Sequence, residues 1–454
     1  MSFGFKLKKF FNSYRIIFLG FLGVIITGSL LLLLPISSAD GKPKNYIDCL
    51  FTSISCVCVT GLVTLNTATT WSLFGQFVLL LLIQTGGLGV ITVTMIFSVA
   101  LGKRIGLSGR SIMQDSVSAL EIKGIVKFAK FIVFGVLIFE AAGAVAMMPV
   151  FIRDFGALKG IWYSIFHSVS AFCNAGFDLL GYETPFVSLS AYKANPVINI
   201  AIMLLIFIGG LGFLTWADVK KNRFRFKKYR TQSKIIIVSS LALVFVPAIY
   251  FFIFEFGDLP LGERVLTSLF QSVTPRTAGF NTADLTKMSD TGIAIMTGLM
   301  LVGGAPGSTA GGMKITTFAV LIITSMSVFR RRGEASAFKR RIAEETIKQA
   351  VAVFFLYIVF FLIGGMSIAS IEKLPLLTCL FESASAIATV GLTLGITPSL
   401  CVASKIILML MMFFGRIGVL TLVYATTSGI KYDERHPIDK ISIGENLHTN
   451  SNLW

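Results

Sequence analysis

Four short segments of this chain repeat one pattern of residue types. Leu50-Phe51-Thr52-Ser53-Ile54-Ser55 leads to Val59-Thr60-Gly61-Leu62, and Ile165-Phe166-His167-Ser168-Val169-Ser170 leads to Asn174-Ala175-Gly176-Phe177. Leu269-Phe270-Gln271-Ser272-Val273-Thr274 leads to Thr277-Ala278-Gly279-Phe280, and Leu380-Phe381-Glu382-Ser383-Ala384-Ser385 to Thr389-Val390-Gly391-Leu392. Phe and Gly lie ten residues apart in three copies and nine in the third, and successive glycines are separated by 115, 103 and 112 residues. A short helix that stops inside a membrane directs its partial negative end at whatever lies beyond it. Four such ends around one axis favour a cation. Glycine accepts backbone angles barred to other residues, so the chain beyond the helix can run extended with its carbonyls turned inward. A ring of carbonyls can then replace the water around an ion. Thr60, Thr277 and Thr389 add hydroxyl oxygens. Glycines that only let helices pack closely would have no reason to recur in register behind a Ser-bearing segment.

A second series of small residues follows. Gly86-Gly87-Leu88-Gly89, Gly209-Gly210-Leu211-Gly212, Gly303-Gly304-Ala305-Pro306 and Gly415-Arg416-Ile417-Gly418 start 25, 33, 24 and 24 residues after their glycines. Small residues at that depth let helices bend or approach closely. No strand precedes these Gly-x-Gly strings, so a dinucleotide fingerprint is not indicated. The third copy extends into Gly303-Gly304-Ala305-Pro306-Gly307-Ser308-Thr309-Ala310-Gly311-Gly312, which cannot hold a continuous helix. Irregular backbone inside a membrane must be buried in protein or line a watery cavity, so this stretch is expected to line a pore below the four glycines. Arg416 takes the place held by Gly87, Gly210 and Gly304. A buried arginine in a membrane needs partners. Arg416 is expected to donate to carbonyls of Gly303–Gly312 and to raise the barrier to cations.

The elements that position these residues follow from composition. Of 454 residues, 54% are hydrophobic and 14% charged, against roughly 25% charged in soluble domains. The chain is therefore an integral membrane protein, which excludes a soluble enzyme, a disordered scaffold and a secreted disulfide module. Each glycine segment sits between two apolar runs. The first runs cover roughly 16–34, 128–152, 235–256 and 350–371, and the second cover 73–101, 197–217, 291–329 and 402–427. The segment between them is too short to span and suits a re-entrant helix. The expected fold is all-α, with four helix–re-entrant loop–helix repeats, eight transmembrane helices and pseudo-four-fold symmetry around one pore. Repeat boundaries fall at 1–110, 111–230, 231–345 and 346–430, with a cytoplasmic tail at 431–454. The first run is long enough to be a retained helix rather than a signal peptide.

Charge placement orients this arrangement. The net charge is +17, but the bases cluster in loops rather than forming a nucleic-acid surface. Of 40 Lys and Arg, 28 fall in the termini and inter-repeat loops, ten lie on the opposite side, and Lys314 and Arg416 are within membrane segments. This bias places both termini and the inter-repeat loops in the cytoplasm and the glycine segments toward the outside. Two basic clusters, Lys220 to Arg230 and Arg330 to Arg341, suit anionic lipid head groups or a cytosolic partner. Cys49, Cys56, Cys58, Cys173, Cys379 and Cys401 lie in or beside apolar segments without metal-ligand spacing. His167, His436 and His448 pair with no Cys or Glu at catalytic spacing, so no enzymatic site is indicated. His167 occupies the place of Thr52, Gln271 and Glu382, a mixture that suits packing or capping. Glu382 is also placed to draw cations to the outer mouth.

On these motifs the chain resembles the KtrB/TrkH/HKT superfamily of cation-uptake proteins over nearly its whole length. TrkH-type relatives carry two further N-terminal helices; this chain opens on its first repeat, so the KtrB-type membrane subunit of bacterial Ktr systems is the nearer resemblance. The resemblance implies a K+ filter built by Val59, Thr60, Gly61, Asn174, Ala175, Gly176, Thr277, Ala278, Gly279, Thr389, Val390 and Gly391. It implies an intramembrane gate at Gly303–Gly312 with Arg416. In the superfamily a Ser in place of the first filter glycine goes with sodium preference, and Gly61 is intact. It further implies potassium uptake across a bacterial plasma membrane, a homodimer with Gly429–Trp454 as candidate subunit contact, and a cytosolic nucleotide-binding ring of the KtrA type. A dependence on Na+ stays open, and no organic cofactor is implied. One glycine per loop suggests weaker discrimination of potassium from sodium than in a potassium channel. The alternative is a cation-coupled symporter or a sodium-permeable HKT-like transporter. A symporter would favour inverted repeats and buried acids, whereas the repeats run in one direction and Glu140 is the main acid within an apolar run.

Overall fold

The computed structural model describes residues 13–90, 92–93, 114, 124–182 and 185–418. The tail 431–454, most of the loop 103–130, the ends of the second apolar runs of repeats 1 and 4, Lys6, Lys8, Lys9, His436 and His448 lie outside these residues.

Each repeat begins with one long apolar helix: α1 (Ser13–Leu33), then α2 (Tyr46–Val57) and α3 (Leu73–Leu88). Repeat 2 holds α4 (Ile125–Phe155), α5 (Ala157–Phe172), α6 (Pro196–Gly210) and α7 (Phe213–Asn222). Repeat 3 holds α8 (Thr231–Tyr250), prolonged by a π turn at Phe251–Glu255, then α9 (Leu261–Val273), α10 (Asp290–Met300) and α11 (Ile315–Phe329). Repeat 4 holds α12 (Glu344–Glu372), α13 (Leu376–Ile387) and α14 (Val402–Ile417). A two-residue hairpin, β1 (Ser336–Ala337) with β2 (Arg340–Arg341), folds the link between repeats 3 and 4.

The first helices of the four repeats are long and apolar enough to cross a bilayer unbroken. The second helices are not continuous. Gly89, Gly212 and Gly418, each the last residue of its tetrad, hold φ of 84°, 85° and 90° with ψ of 128°, 139° and 131°. An L-residue cannot rest there, so the helix stops. At the matching place repeat 3 carries Pro306, and the chain from 301 to 314 leaves helical geometry altogether. In repeat 2 the break turns α7 by 97° from α6. Among the described residues, then, the four first helices are unbroken spans, the second helices of repeats 2 and 3 are interrupted, and those of repeats 1 and 4 meet a positive-φ glycine at Gly89 and Gly418.

The short helices α2, α5, α9 and α13 have 12, 16, 13 and 12 residues. Twelve residues rise about 18 Å, too little for a hydrocarbon core of about 30 Å. Each is tied to the first helix of its own repeat by its first repeated serine. Ser53, Ser168 and Ser383 donate to the carbonyls of Ile25, Glu140 and Phe361 at 2.7, 2.6 and 2.6 Å. Ser272 donates to Val244. Three residues beyond each acceptor stands Gly28, Gly143, Gly364 or Pro247. A Cβ at the glycines would come within 2.6, 2.6 and 3.1 Å of the serine oxygens. Pro247 removes an N–H from α8, which frees the Leu243 carbonyl, and Ser272 also approaches that oxygen at 3.3 Å.

The repeats close into a ring. Helix α3 packs on α5, α6 on α9, α10 on α13, and α14 on α2. Each second helix therefore braces the short helix of the next repeat, and the fourth returns to the first.

Candidate functional site

The four short helices end at the centre of this ring. The residue two before each glycine has a left-handed backbone: φ is 55° at Val59, 58° at Asn174, 65° at Thr277 and 53° at Thr389. The glycines themselves hold 92°, 69°, 80° and 91° at Gly61, Gly176, Gly279 and Gly391. Two positive-φ residues separated by one residue keep each loop out of regular helix and strand geometry. Three of the four non-glycine positions are β-branched, which makes the conformation costly. Something must hold it.

The last hydroxyl of each repeated segment does so. Ser55 accepts from Gly61 N–H at 3.1 Å, Ser385 from Gly391 N–H at 3.0 Å, and Ser170 from Phe177 N–H at 3.0 Å. Thr274 donates to the Phe280 carbonyl. The backbone carbonyls of the same four residues accept from Thr60, Val390, Ala175 and Ala278, at 2.8, 2.8, 2.8 and 3.0 Å.

The loops meet glycine to glycine. A Cβ on Gly61 would lie 2.5 Å from the Ala175 carbonyl oxygen, one on Gly176 2.7 Å from that of Ala278, and one on Gly279 2.5 Å from that of Val390. A Cβ on Gly391 would collide with the Thr60 carbonyl, which completes the circle. Any side chain at these positions would fill the space. Among the described residues the buried Thr60 and Thr389 hydroxyls have no hydrogen-bond partner, whereas Thr277 Oγ1 lies 3.3 Å from Asn174 Nδ2. Uncompensated oxygens around a narrow axis are the donor set that a dehydrated monovalent cation requires.

One side of this ring opens into a cavity of about 90 Å³, lined by all four glycines with Asn66, Asp178, Asn281 and Thr393. Asp178 is its single charged lining residue among those described, and its Oδ1 accepts from Leu180 N–H at 3.0 Å. Glu382 does not line it. Its carboxylate is fully buried, accepting from Leu394 N–H at 3.2 Å, from Thr397 at 2.9 Å, and from Thr393. The expectation that Glu382 draws cations at the mouth is corrected: its oxygens are spent on the loop after Gly391. His167 does the same work in repeat 2, with Nε2 accepting from Leu179 N–H at 3.3 Å while Nδ1 donates to Tyr163 at 2.7 Å. Gln271, with its amide oxygen turned inward, accepts from Thr282 and Ala283 N–H at 3.2 Å each. Three unlike side chains thus brace the residue three beyond the glycine.

The Gly303–Gly312 loop packs against the residues that precede these glycines. Thr309 donates to the Phe172 carbonyl at 3.0 Å and reaches Asn174 Oδ1 at 3.4 Å. Gly311 lies against Thr389 Oγ1, and a Cβ on Gly312 would stand 2.8 Å from the Ala388 carbonyl. Backbone bonds staple the loop to repeats 2 and 4: Ala305 N–H to Gly210 at 2.9 Å, Phe213 N–H to Gly307 at 2.7 Å, and Gly312 N–H to Gly415 at 3.2 Å. Arg416 donates to the carbonyls of Thr309 and Gly86, and to Gly87 at 3.2 Å. It therefore bridges the loop to repeat 1. Lys314 Nζ, at the far end of the loop, donates to Ala310 at 2.8 Å. Among the described residues neither cation has an acidic partner; carbonyls hold both.

Two buried groups lie behind the ring. Arg276, which the charge count leaves on the outer side, is buried and donates to Ser240 Oγ at 2.9 Å; its own carbonyl accepts from Asn174 Nδ2 at 3.2 Å. Glu140 accepts from Gln84 Nε2 at 3.2 Å, and Cys173 Sγ lies 3.9 Å from its other oxygen.

A four-fold re-entrant helix bundle with an oxygen-lined axis is the architecture of a membrane cation-transport protein. The chain belongs to that class: residues 20–430 match the TrkH family model, described as cation transport protein. It is 37% identical to the potassium/sodium uptake protein NtpJ of Enterococcus hirae, over 97% of this chain and 99% of that one. It is also 37% identical to the Ktr system potassium uptake protein B of Bacillus subtilis, over 96% and 97%. The crystal structure of the potassium transporter TrkH from Vibrio parahaemolyticus shares the fold, with a TM-score of 0.73 at 20% identity, covering 92% of this chain and 85% of that chain.

Proposed function

We propose that this protein conducts potassium ions into the cell, and that Thr60, Ala175, Ala278 and Val390 present their carbonyls to the ion beside Gly61, Gly176, Gly279 and Gly391. The observation that carries this is the closed circle in which each glycine faces the carbonyl of the next loop. Val59, Asn174, Thr277 and Thr389 complete the filter. Relatives named for potassium uptake, and for potassium and sodium uptake, support the ion class.

The Gly303–Gly312 loop, pinned by Arg416, is the gate on the opposite face. Its bonds to repeats 2 and 4, with Arg416 linking it on to repeat 1, mean that opening must break several weak contacts, a suitable target for a regulatory subunit. Relatives named as parts of Ktr systems support such a partner, here a nucleotide-binding ring of the KtrA type acting on a homodimer. The excess of Lys and Arg in inter-repeat loops supports cytoplasmic termini in a bacterial plasma membrane, with the repeats divided near residues 110, 230 and 345. A sodium dependence belongs to the same proposal.

Uptake in cells lacking their own potassium systems tests it. Intact protein should restore growth at low potassium. Gly61→Ser should weaken potassium selectivity, and a deletion within Gly303–Gly312 should raise flux. Uptake indifferent to Gly61→Ser would overturn the filter assignment.

A further inference from the structure

Helices α8 and α11 leave an apolar groove between them. Ile235, Val238 and Ala242 line one wall, Phe318 and Ile322 the other, and Phe338 of the β1–β2 hairpin closes one end of a cavity of about 460 Å³. The cavity continues past Ile322, Ile323 and Ser336 into a second of about 210 Å³, whose lining includes Arg330 and Arg332. Among the described residues no acidic side chain lines either one. Glu334 and Glu344 are paired with Arg341, at 2.8 and 3.7 Å. Among the described residues Arg330 and Arg332 form no ion pair, and both are exposed.

Dimensions match one kind of occupant. From Phe318 to Phe329 a helix rises about 16 Å, close to half of a hydrocarbon core of about 30 Å. An apolar trough one leaflet deep, with two free guanidiniums at its interfacial end, suits an acyl chain below and a phosphate above. We propose that this groove binds an anionic phospholipid drawn from the surrounding bilayer. Helix α11 begins at Ile315, directly after the loop that covers the glycine ring. Ile315 N–H is bonded to Gly304 at 3.0 Å and Gly303 N–H to Met313 at 2.8 Å. A lipid wedged between α8 and α11 therefore favours one setting of that loop, a consequence that rests on the gating role proposed above.

The test uses full-length protein purified in mild detergent with phosphatidylglycerol or phosphatidylcholine. Retained lipid is measured by mass spectrometry, and Rb+ flux in vesicles of each lipid. Three variants are compared: Arg330→Gln with Arg332→Gln, Ala242→Trp to fill the trough without altering charge, and Lys220→Gln with Lys221→Gln in the other basic cluster. Wild type and the Lys220/Lys221 variant should retain phosphatidylglycerol. The first two variants should lose about tenfold of it, and their flux should stop depending on that lipid. Equal retention in all three variants, or equal loss in all three, overturns the site. A changed oligomeric mass with unchanged retention would make the groove a contact between copies of this chain and would also overturn it. Lipid retention is read independently of flux, so a failed gating role leaves that result interpretable, and unchanged thermal unfolding in each variant excludes misfolding.

Discussion

The ring depends on residues whose types give little warning. Gly61, Gly176, Gly279 and Gly391 stand out in sequence because only glycine suits their place, and the structure brings all four together. Ser55, Ser170, Thr274 and Ser385 share the same four-fold pattern, yet a serine near a helix end suggests only a cap. Their bonds to the glycine loops require the three-dimensional turn. Removing the Ser385 hydroxyl strands the buried Gly391 N–H, a cost of about 1–3 kcal/mol. Ser385→Ala should therefore lower the ratio of Rb+ to Na+ uptake, with Ser385→Thr closer to wild type; an unchanged ratio would deny the hydroxyl its positioning role. His167, Gln271 and Glu382 were harder to read, since a shared acceptor function is hidden by three unlike side chains. Asp178 was missed because an acid two residues beyond one glycine has no counterpart in the other repeats. As the charged group among the described residues lining the cavity beside the glycine ring, it should aid ion capture. Asp178→Asn should raise the apparent KM for potassium several-fold, by local charge loss, and leave the maximal rate nearly unchanged; kinetics of Rb+ uptake check this.

At the scale of elements, periodic apolar runs made the spans legible, and the architecture of four helix–loop–helix repeats emerged from repeated segments alone. The interruption of the second helices was less visible. The tetrads suggested bending, but the decisive residue is the last of each, Gly89, Gly212 or Gly418, where φ is positive. Hydropathy does not register backbone handedness. Gly212→Ala should cost about 1–3 kcal/mol in backbone strain, and its Cβ would stand 2.8 Å from the Pro306 carbonyl. A lower thermal midpoint with altered flux is expected, whereas Gly262→Ala, with nothing within 4 Å of its Cβ, should leave both unchanged. Arg276 shows the opposite limit. Counting it as an outer charge was reasonable by position, but α8 offers Ser240 and the arginine turns inward.

In the whole molecule, each repeat is incomplete alone. Its short helix needs the preceding repeat's second helix, and its glycine faces the next repeat's carbonyl. Symmetry is broken in two places: repeat 3 replaces the helical break with the 301–314 excursion, and repeat 4 substitutes Arg416 for a glycine. These departures were readable because the other copies supply the reference. Crystals grown with Rb+ in place of K+ give the most direct measurement of the central claim, through anomalous scattering. The account predicts a peak on the axis, within coordination distance of the Thr60, Ala175, Ala278 and Val390 carbonyl oxygens. An empty ring, with bound Rb+ instead beside a buried acid such as Glu140, would contradict it.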